Sequence, residues 1–214
     1  MGASGVLPKP VSLSGLLKTV TSVMRQDAFP KDYVAIERKI RSYIETGQNQ
    51  KAIAQYRGFE SLEQKPPGVA AVIAAEIAYI KEEYEEASKY AVAAFREDGE
   101  TVEILNIMGK TFLKLNQQEN ALKCLNRANT MNSQNLHRLC ALAQANSELG
   151  DNEAAAAAIS TAEKFDGGST IVKETKVEVA VNSGDTATAK EVMQNLGALD
   201  QVVKYMNNRA ILLA

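Results

Sequence analysis

Residues 102–121 read Val102-Glu-Ile-Leu-Asn-Ile-Met-Gly-Lys-Thr-Phe-Leu-Lys-Leu-Asn-Gln-Gln-Glu-Asn-Ala121. Leu105, Met108, Phe112 and Leu115 recur at helical spacing and form one apolar stripe, so the stretch opens with an amphipathic helix. Asn116-Gln117 supplies a turn. A second helix then carries Ala121, Leu122, Leu125 and Ala128, and Asn132-Ser133 closes the unit. Gly109 stands in mid-helix, where glycine costs on the order of 1 kcal/mol relative to alanine. Its presence there predicts a close approach by the second helix, crossing at Ala121.

The unit repeats. Ala52, Ala87, Ala121, Ala155 and Ala189 are separated by 35, 34, 34 and 34 residues. About one residue in seven is alanine, so the recurrence gains its meaning from the flanks. A turn-type residue stands five positions before each alanine (Gly47, Asn116, Gly150 and Gly184, with Glu82 the exception). An apolar residue stands four positions after it (Tyr56, Ala91, Leu125, Ile159 and Met193). A fixed period in this range marks an array of supersecondary units, each of which buries its apolar face against its neighbours.

This pattern resembles the tetratricopeptide repeat (TPR), a 34-residue helix–turn–helix unit. Leu105 takes the large apolar position of its first helix, Met108-Gly109 the leucine–glycine pair and Phe112 the tyrosine. Ala121, Leu125 and Ala128 match the second helix, and Ser133 stands where the family often has proline. In the same register the units begin near Tyr33, Gly68, Val102, Leu136 and Thr170, the second introduced by Pro66-Pro67-Gly68. The first unit departs from the pattern at Lys39 and Ile40, and the fifth at Lys173 and Lys176. The resemblance implies an all-α fold: a right-handed superhelix of antiparallel helix pairs. About five repeats fill residues 31–203, and residues 204–214 form the first helix of a sixth repeat or a C-terminal cap. Ile211, Leu212 and Leu213 are apolar where a terminal cap is normally polar, so the natural chain is expected to continue past Ala214.

Residues 1–27 do not fit the period. Leu13, Leu16, Leu17, Val20, Val23 and Met24 line one face of an amphipathic helix, which reads most simply as a capping helix. The same stretch also resembles the end of a response-regulator receiver domain. Gly2-Ala3, Val6-Leu7, Lys9-Pro10 and Leu13 through Val23 follow that family's order of Gly-Ala loop, last strand, Lys-Pro and last helix. The resemblance implies that Lys9 is the lysine that contacts the phosphoryl group, and that the acceptor aspartate lies upstream of Met1. The apolar helix face, having lost its sheet, is expected to pack on the first repeat, on a second copy, or as an element exchanged within a dimer.

Composition narrows the remaining classes. The 214 residues are 45% hydrophobic with a formal net charge of −2, which leaves no electrostatic footprint for nucleic acid. No run of 18 apolar residues occurs and no secretory leader is seen, so the chain reads as cytoplasmic and without a membrane partner. Cys124 and Cys140 match no metal or redox spacing and read as buried or half-buried thiols. His137 is the single histidine and lacks a neighbouring nucleophile. No catalytic, cofactor or metal constellation is present, so an enzyme is not expected. The acidic clusters around Glu82 to Glu86 and Glu97-Asp98 read as solvated faces, Ala154 to Ala158 as tight packing, and Tyr43, Tyr56, Tyr79, Tyr84 and Tyr90 as core.

The first helices of such a stack line its inner surface. In this register the groove-facing residues are Glu37, Arg41, Tyr79, Asn106, Lys110, His137 and Gln144. The expected function is a protein-interaction scaffold holding a peptide or partner helix, as the output region of a phosphorelay response regulator. The alternative is a constitutive stand-alone TPR adaptor or co-chaperone. A homodimer through the N-terminal helix or the exposed C-terminal helix is a further expectation.

Overall fold

A helix pair closes only where the chain can reverse direction within a few residues, and here one residue per unit does so. Gly47, Glu82, Asn116, Gly150 and Gly184 all adopt positive φ, from 55° to 80°. The amide after each reaches back five residues: Gln48 N to Tyr43 O (2.8 Å), Glu83 N to Ala78 O (2.9 Å) and Gln117 N to Phe112 O (2.8 Å). Asp151 N to Asn146 O (2.9 Å) and Asp185 N to Ala180 O (2.8 Å) complete the set. This is the Schellman arrangement, which satisfies carbonyls that the helix end would otherwise leave orphaned.

The computed structural model describes residues 33–196 together with residues 13, 16, 17 and 19–21. Among the described residues the complete helices form five consecutive pairs. They are α1 (Tyr33–Glu45) with α2 (Asn49–Glu60), α3 (Pro67–Ile80) with α4 (Tyr84–Asp98), and α5 (Val102–Lys114) with α6 (Gln118–Met131). Then follow α7 (Leu136–Glu148) with α8 (Asn152–Asp166), and α9 (Thr170–Ser183) with α10 (Thr186–Leu196). Each pair is an antiparallel hairpin, and the pairs stack into a right-handed superhelix. From α3 onward each first helix also contacts the first helix of the next unit.

Local chemistry starts the helices where the register requires. Pro67 occupies the first turn of α3, where its missing N–H costs nothing. Thr101 Oγ1 accepts from Ile104 N (3.2 Å) at the start of α5, and Asn135 Oδ1 from Arg138 N (2.9 Å) at α7. Asp151 Oδ1 caps α8 through Ala154 N (3.0 Å).

The core follows the recurrent small residues. Ala52, Ala87, Ala121 and Ala155 are fully inaccessible and Ala189 is 6% exposed. Leu125, Ile159 and Ala91, four residues after their alanines, are buried as well. At Gly109 the close approach is present, but its principal partner is Leu125. An added Cβ would lie 2.5 Å from Leu125 Cγ and 3.4 Å from the Ala121 carbonyl oxygen. The backbone of the second helix is nearest at Ala121, and the Leu125 side chain leans back over that turn onto Gly109.

Some expectations need correction. Tyr90 is 43% exposed rather than core, because the inward sites of α4 are taken by Ala87, Ala91 and Ala94. Of Ala154 to Ala158 only Ala155 is buried, while Ala156 and Ala157 face solvent. Leu13, Leu16, Leu17 and Val20 are helical and 74, 40, 58 and 44% exposed, so these residues are not covered by the first repeat in the single chain. Lys9, the receiver-like loop and strand, and residues 204–214 lie outside the described residues.

Two stability outcomes follow from this geometry. Glu82 holds a left-handed φ of 64° with a side chain attached. Glu82→Gly is expected to raise stability by about 0.5–1 kcal/mol in urea titration, since a left-handed L-residue costs about 1–2 kcal/mol and glycine's extra chain entropy returns part of that. Gly109→Ala is expected to destabilise by about 1–3 kcal/mol despite alanine's better helix propensity. A Leu125→Ala background should reduce that penalty.

Candidate partner-binding groove

Repetition places equivalent residues of the first helices in rows. Arg41, Glu76, Lys110, Gln144 and Glu178 are spaced 35, 34, 34 and 34 residues apart, one on each of α1, α3, α5, α7 and α9. Hydrogen bonds tie this row together at both ends. Arg41 Nη1 donates to Glu76 Oε1 (2.9 Å), and Gln144 Nε2 donates to Glu178 Oε2 (2.7 Å). Arg41 also donates from Nε to Glu37 Oε1 (3.0 Å), one turn back on α1. The row thus runs cation, anion, cation, neutral amide, anion.

Arg41, Glu76 and Lys110 of this row are partly removed from water. Burial pulls the Arg41 guanidinium down, but Glu76 and Glu37 more than offset this, leaving it above its ordinary value. Burial raises the Glu76 carboxyl against the opposing pull of Arg41 and Lys110, and its Oε2 is buried without a hydrogen-bond partner. Burial lowers Lys110, with Arg138 adding to the effect and Glu76 opposing it. His137 lies below its ordinary value through partial burial and the neighbouring Lys110. Burial, and secondarily Tyr84, pushes the Tyr79 hydroxyl up to about 12, so it stays protonated.

A cleft of about 560 Å³ opens on this inner face. Tyr79 of α3 borders it, and α5 contributes Lys110, Leu113 and Lys114. From α7 come His137, Cys140, Ala141, Gln144 and Glu148; from α9 come Ile171, Glu174, Thr175, Val177 and Glu178. Every lining residue belongs to a first helix. Tyr79, Lys110, His137 and Gln144 therefore share one concavity, whereas Glu37 and Arg41 belong to the ion-pair network on α1 and α3.

Asn106 has a different task from the one expected. Its Oδ1 accepts from Nη1 of Arg138 (3.0 Å), and Asn129 Oδ1 accepts from Arg138 Nε (3.4 Å). Arg138 is fully inaccessible, and its Nη2 has no hydrogen-bond partner. Asn106 Oδ1 thereby helps to hold a buried guanidinium between α5 and α7. Arg138 was not singled out in the sequence, because an arginine near a helix start normally points to water. Glu76 and Glu178 were also missed, although the same 34-residue offset that places Lys110 and Gln144 places them.

Cys140 is buried and Cys124 half-buried, both as thiols. Burial raises Cys140, with a hydrogen bond to Thr175 opposing it. No group of three or more His, Cys, Asp or Glu suited to a metal ion occurs among the described residues.

Residues 102–135 match the tetratricopeptide repeat family. Solved structures extend that agreement along the chain. The fold is that of a tetratricopeptide-repeat solenoid. YrrB, described as a TPR protein with an unusual peptide-binding site, superposes with a TM-score of 0.56 at 16% identity. That match covers 86% of this chain and 96% of YrrB. PilF of Pseudomonas aeruginosa gives 0.59 at 15% identity, over 92% of this chain and 90% of its own. A chain of the APC/C hetero-tetramer Cut9–Hcn1 gives 0.67 at 16% identity, covering 87% of this chain but 35% of its own. No curated protein sequence matches the chain. Among the described residues no helix of this solenoid is long and apolar enough to cross a membrane.

The raised Glu76 equilibrium has a signed consequence. A group whose folded value exceeds its unfolded one contributes stability that is complete below the unfolded value and lost as pH rises through the folded one. Relative to Glu76→Gln, the native solenoid is therefore expected to gain stability as pH falls from 7 toward the ordinary carboxylate range. Paired urea titrations at pH 7 and pH 5 measure the difference, and an opposite trend would mean that Arg41 outweighs burial.

Proposed function

We propose that this solenoid is a protein-interaction scaffold whose inner groove holds an extended segment or a helix of a partner protein. The observation that carries this reading is the cleft on α5, α7 and α9, where an apolar floor meets charged and amide groups on successive first helices. The peptide-binding site attributed to YrrB, which has a similar fold, is in keeping with it.

The finer reading is that the scaffold forms the output region of a phosphorelay response regulator. It rests on Gly2-Ala3, Val6-Leu7, Lys9-Pro10 and the apolar residues from Leu13 to Val23, in that family's order. The exposure of Leu13, Leu16, Leu17 and Val20 fits a helix that normally covers another surface. In this reading a receiver upstream would change the pose of its last helix on phosphorylation and so alter access to the first repeat.

Two measurements test these readings. Lys110→Ala is expected to weaken a captured partner roughly tenfold, about 1.4 kcal/mol, in titration calorimetry; an unchanged affinity would place the partner elsewhere. The intact mass of the endogenous protein, with peptide coverage of both ends, addresses the upstream receiver. A mass well above 23.2 kDa with aspartate-rich peptides before Gly2 supports it. A product of 23.2 kDa beginning at Met1 leaves a stand-alone adaptor.

A further inference from the structure

The cleft is divided by charge. Lys110 and Lys114 stand on the α5 side, with the guanidinium of Arg138 buried behind them between α5 and α7. Glu174 and Glu178 stand on the α9 side, with Glu148 at the end of α7. Between the two lie uncharged groups of α7, Ala141 and Gln144, with His137 held toward its neutral form. Leu113, Ile171 and Val177 complete an apolar floor.

Glu178 is engaged by Gln144 and Glu148 by Gln118. Among the described residues Lys110, Lys114 and Glu174 make no ion pair. Lys110 has Glu76 nearby, but that carboxylate is already hydrogen-bonded to Arg41. The width of α7 separates the cationic side from the anionic side. Two interaxial steps of about 8–10 Å set them about 16–20 Å apart. An extended chain advances about 3.3–3.6 Å per residue, so five or six residues span that distance.

We propose that the cleft takes an extended partner segment of about five or six residues that presents an acidic side chain to Lys110 and Lys114 and a basic side chain to Glu174, with an apolar residue on the floor between them. This deepens the groove reading above and rests on it. Like charges repel a segment with the wrong ends, so the division of charge selects both composition and direction.

End-capped, fluorescein-labelled hexapeptides with a central leucine test the assignment. One set carries glutamate and lysine at opposite ends in either order. Controls carry two glutamates, two lysines or two glutamines. Polarisation at low and high salt reads affinity, and amide chemical shifts of Leu113, Ala141 and Val177 read location. One mixed-end order is expected to bind at least tenfold more tightly than every control, with the advantage falling as salt rises. The double variant Lys114→Glu/Glu174→Lys leaves one charge of each sign on either side and is expected to abolish the preference for order, and Glu174→Gln alone to narrow the advantage. Far-ultraviolet circular dichroism verifies that both variants fold. Equal binding of mixed-end and glutamine-ended peptides, with groove shifts, overturns the charge assignment and leaves the groove reading standing. Peptides that shift only residues outside the cleft overturn both. Concentration-dependent groove shifts without peptide would assign the cleft to a second copy and overturn the proposal.

Discussion

The left-handed residue between the helices of each unit is the constraint on which the remainder depends. With φ positive at Gly47, Glu82, Asn116, Gly150 and Gly184, the chain reverses by the same kind of turn five times over. The alanine five residues later then meets the first helix with only a methyl group between the backbones, and Ala52, Ala87, Ala121 and Ala155 are sealed from solvent. A larger residue there would reopen the hairpin and disturb the stacking of every later pair, because in a solenoid each unit is registered only by its neighbours. Glu82 shows that the geometry outranks local preference: the neighbouring turns constrain the fold enough to hold a glutamate where glycine or asparagine would sit at lower cost.

Because every unit leaves its turn in the same way, residues one repeat apart become lateral neighbours on the inner wall. Arg41 and Glu76, or Gln144 and Glu178, are remote in sequence yet lie within 2.9 and 2.7 Å of one another. The groove's electrostatic character is thus a property of the repeat interval rather than of any local motif. Partial burial strengthens each pairing and raises the cost of leaving any member unpaired. The same proximity loads cations onto α5 and α7, where Lys110, His137 and Arg138 depress one another or lose hydration. A wall built this way sets charged and amide groups beside an apolar floor.

Much of this was open to inspection before any coordinates. The period of Ala52 to Ala189, the turn residues before it, and the stripe Leu105, Met108 and Phe112 are local signals, since helix and turn are decided within a few residues. Four of the expected groove residues, Tyr79, Lys110, His137 and Gln144, do share the cleft, because facing direction on a helix follows from register. Glu76 and Glu178 were equally within reach of the register, standing one repeat from Lys110 and Gln144. Tyr90 misled because an aromatic ring beside a core position reads as core unless smaller neighbours already fill the space.

The amino-acid order alone determined the repeat, its helix pairs, the position of each reversal and the identity of the inner helices, because all of these are set by interactions within about 34 residues. Only the tertiary structure decided how neighbouring units share polar groups. It set Asn106 Oδ1 against the buried Arg138, made Leu125 the nearest side chain at Gly109, and joined Arg41 to Glu76 across two units. These outcomes depend on the rotation and spacing of one hairpin against the next. Differences of an ångström or so there decide whether a side chain meets water or a partner, and no local pattern in the chain encodes that distance.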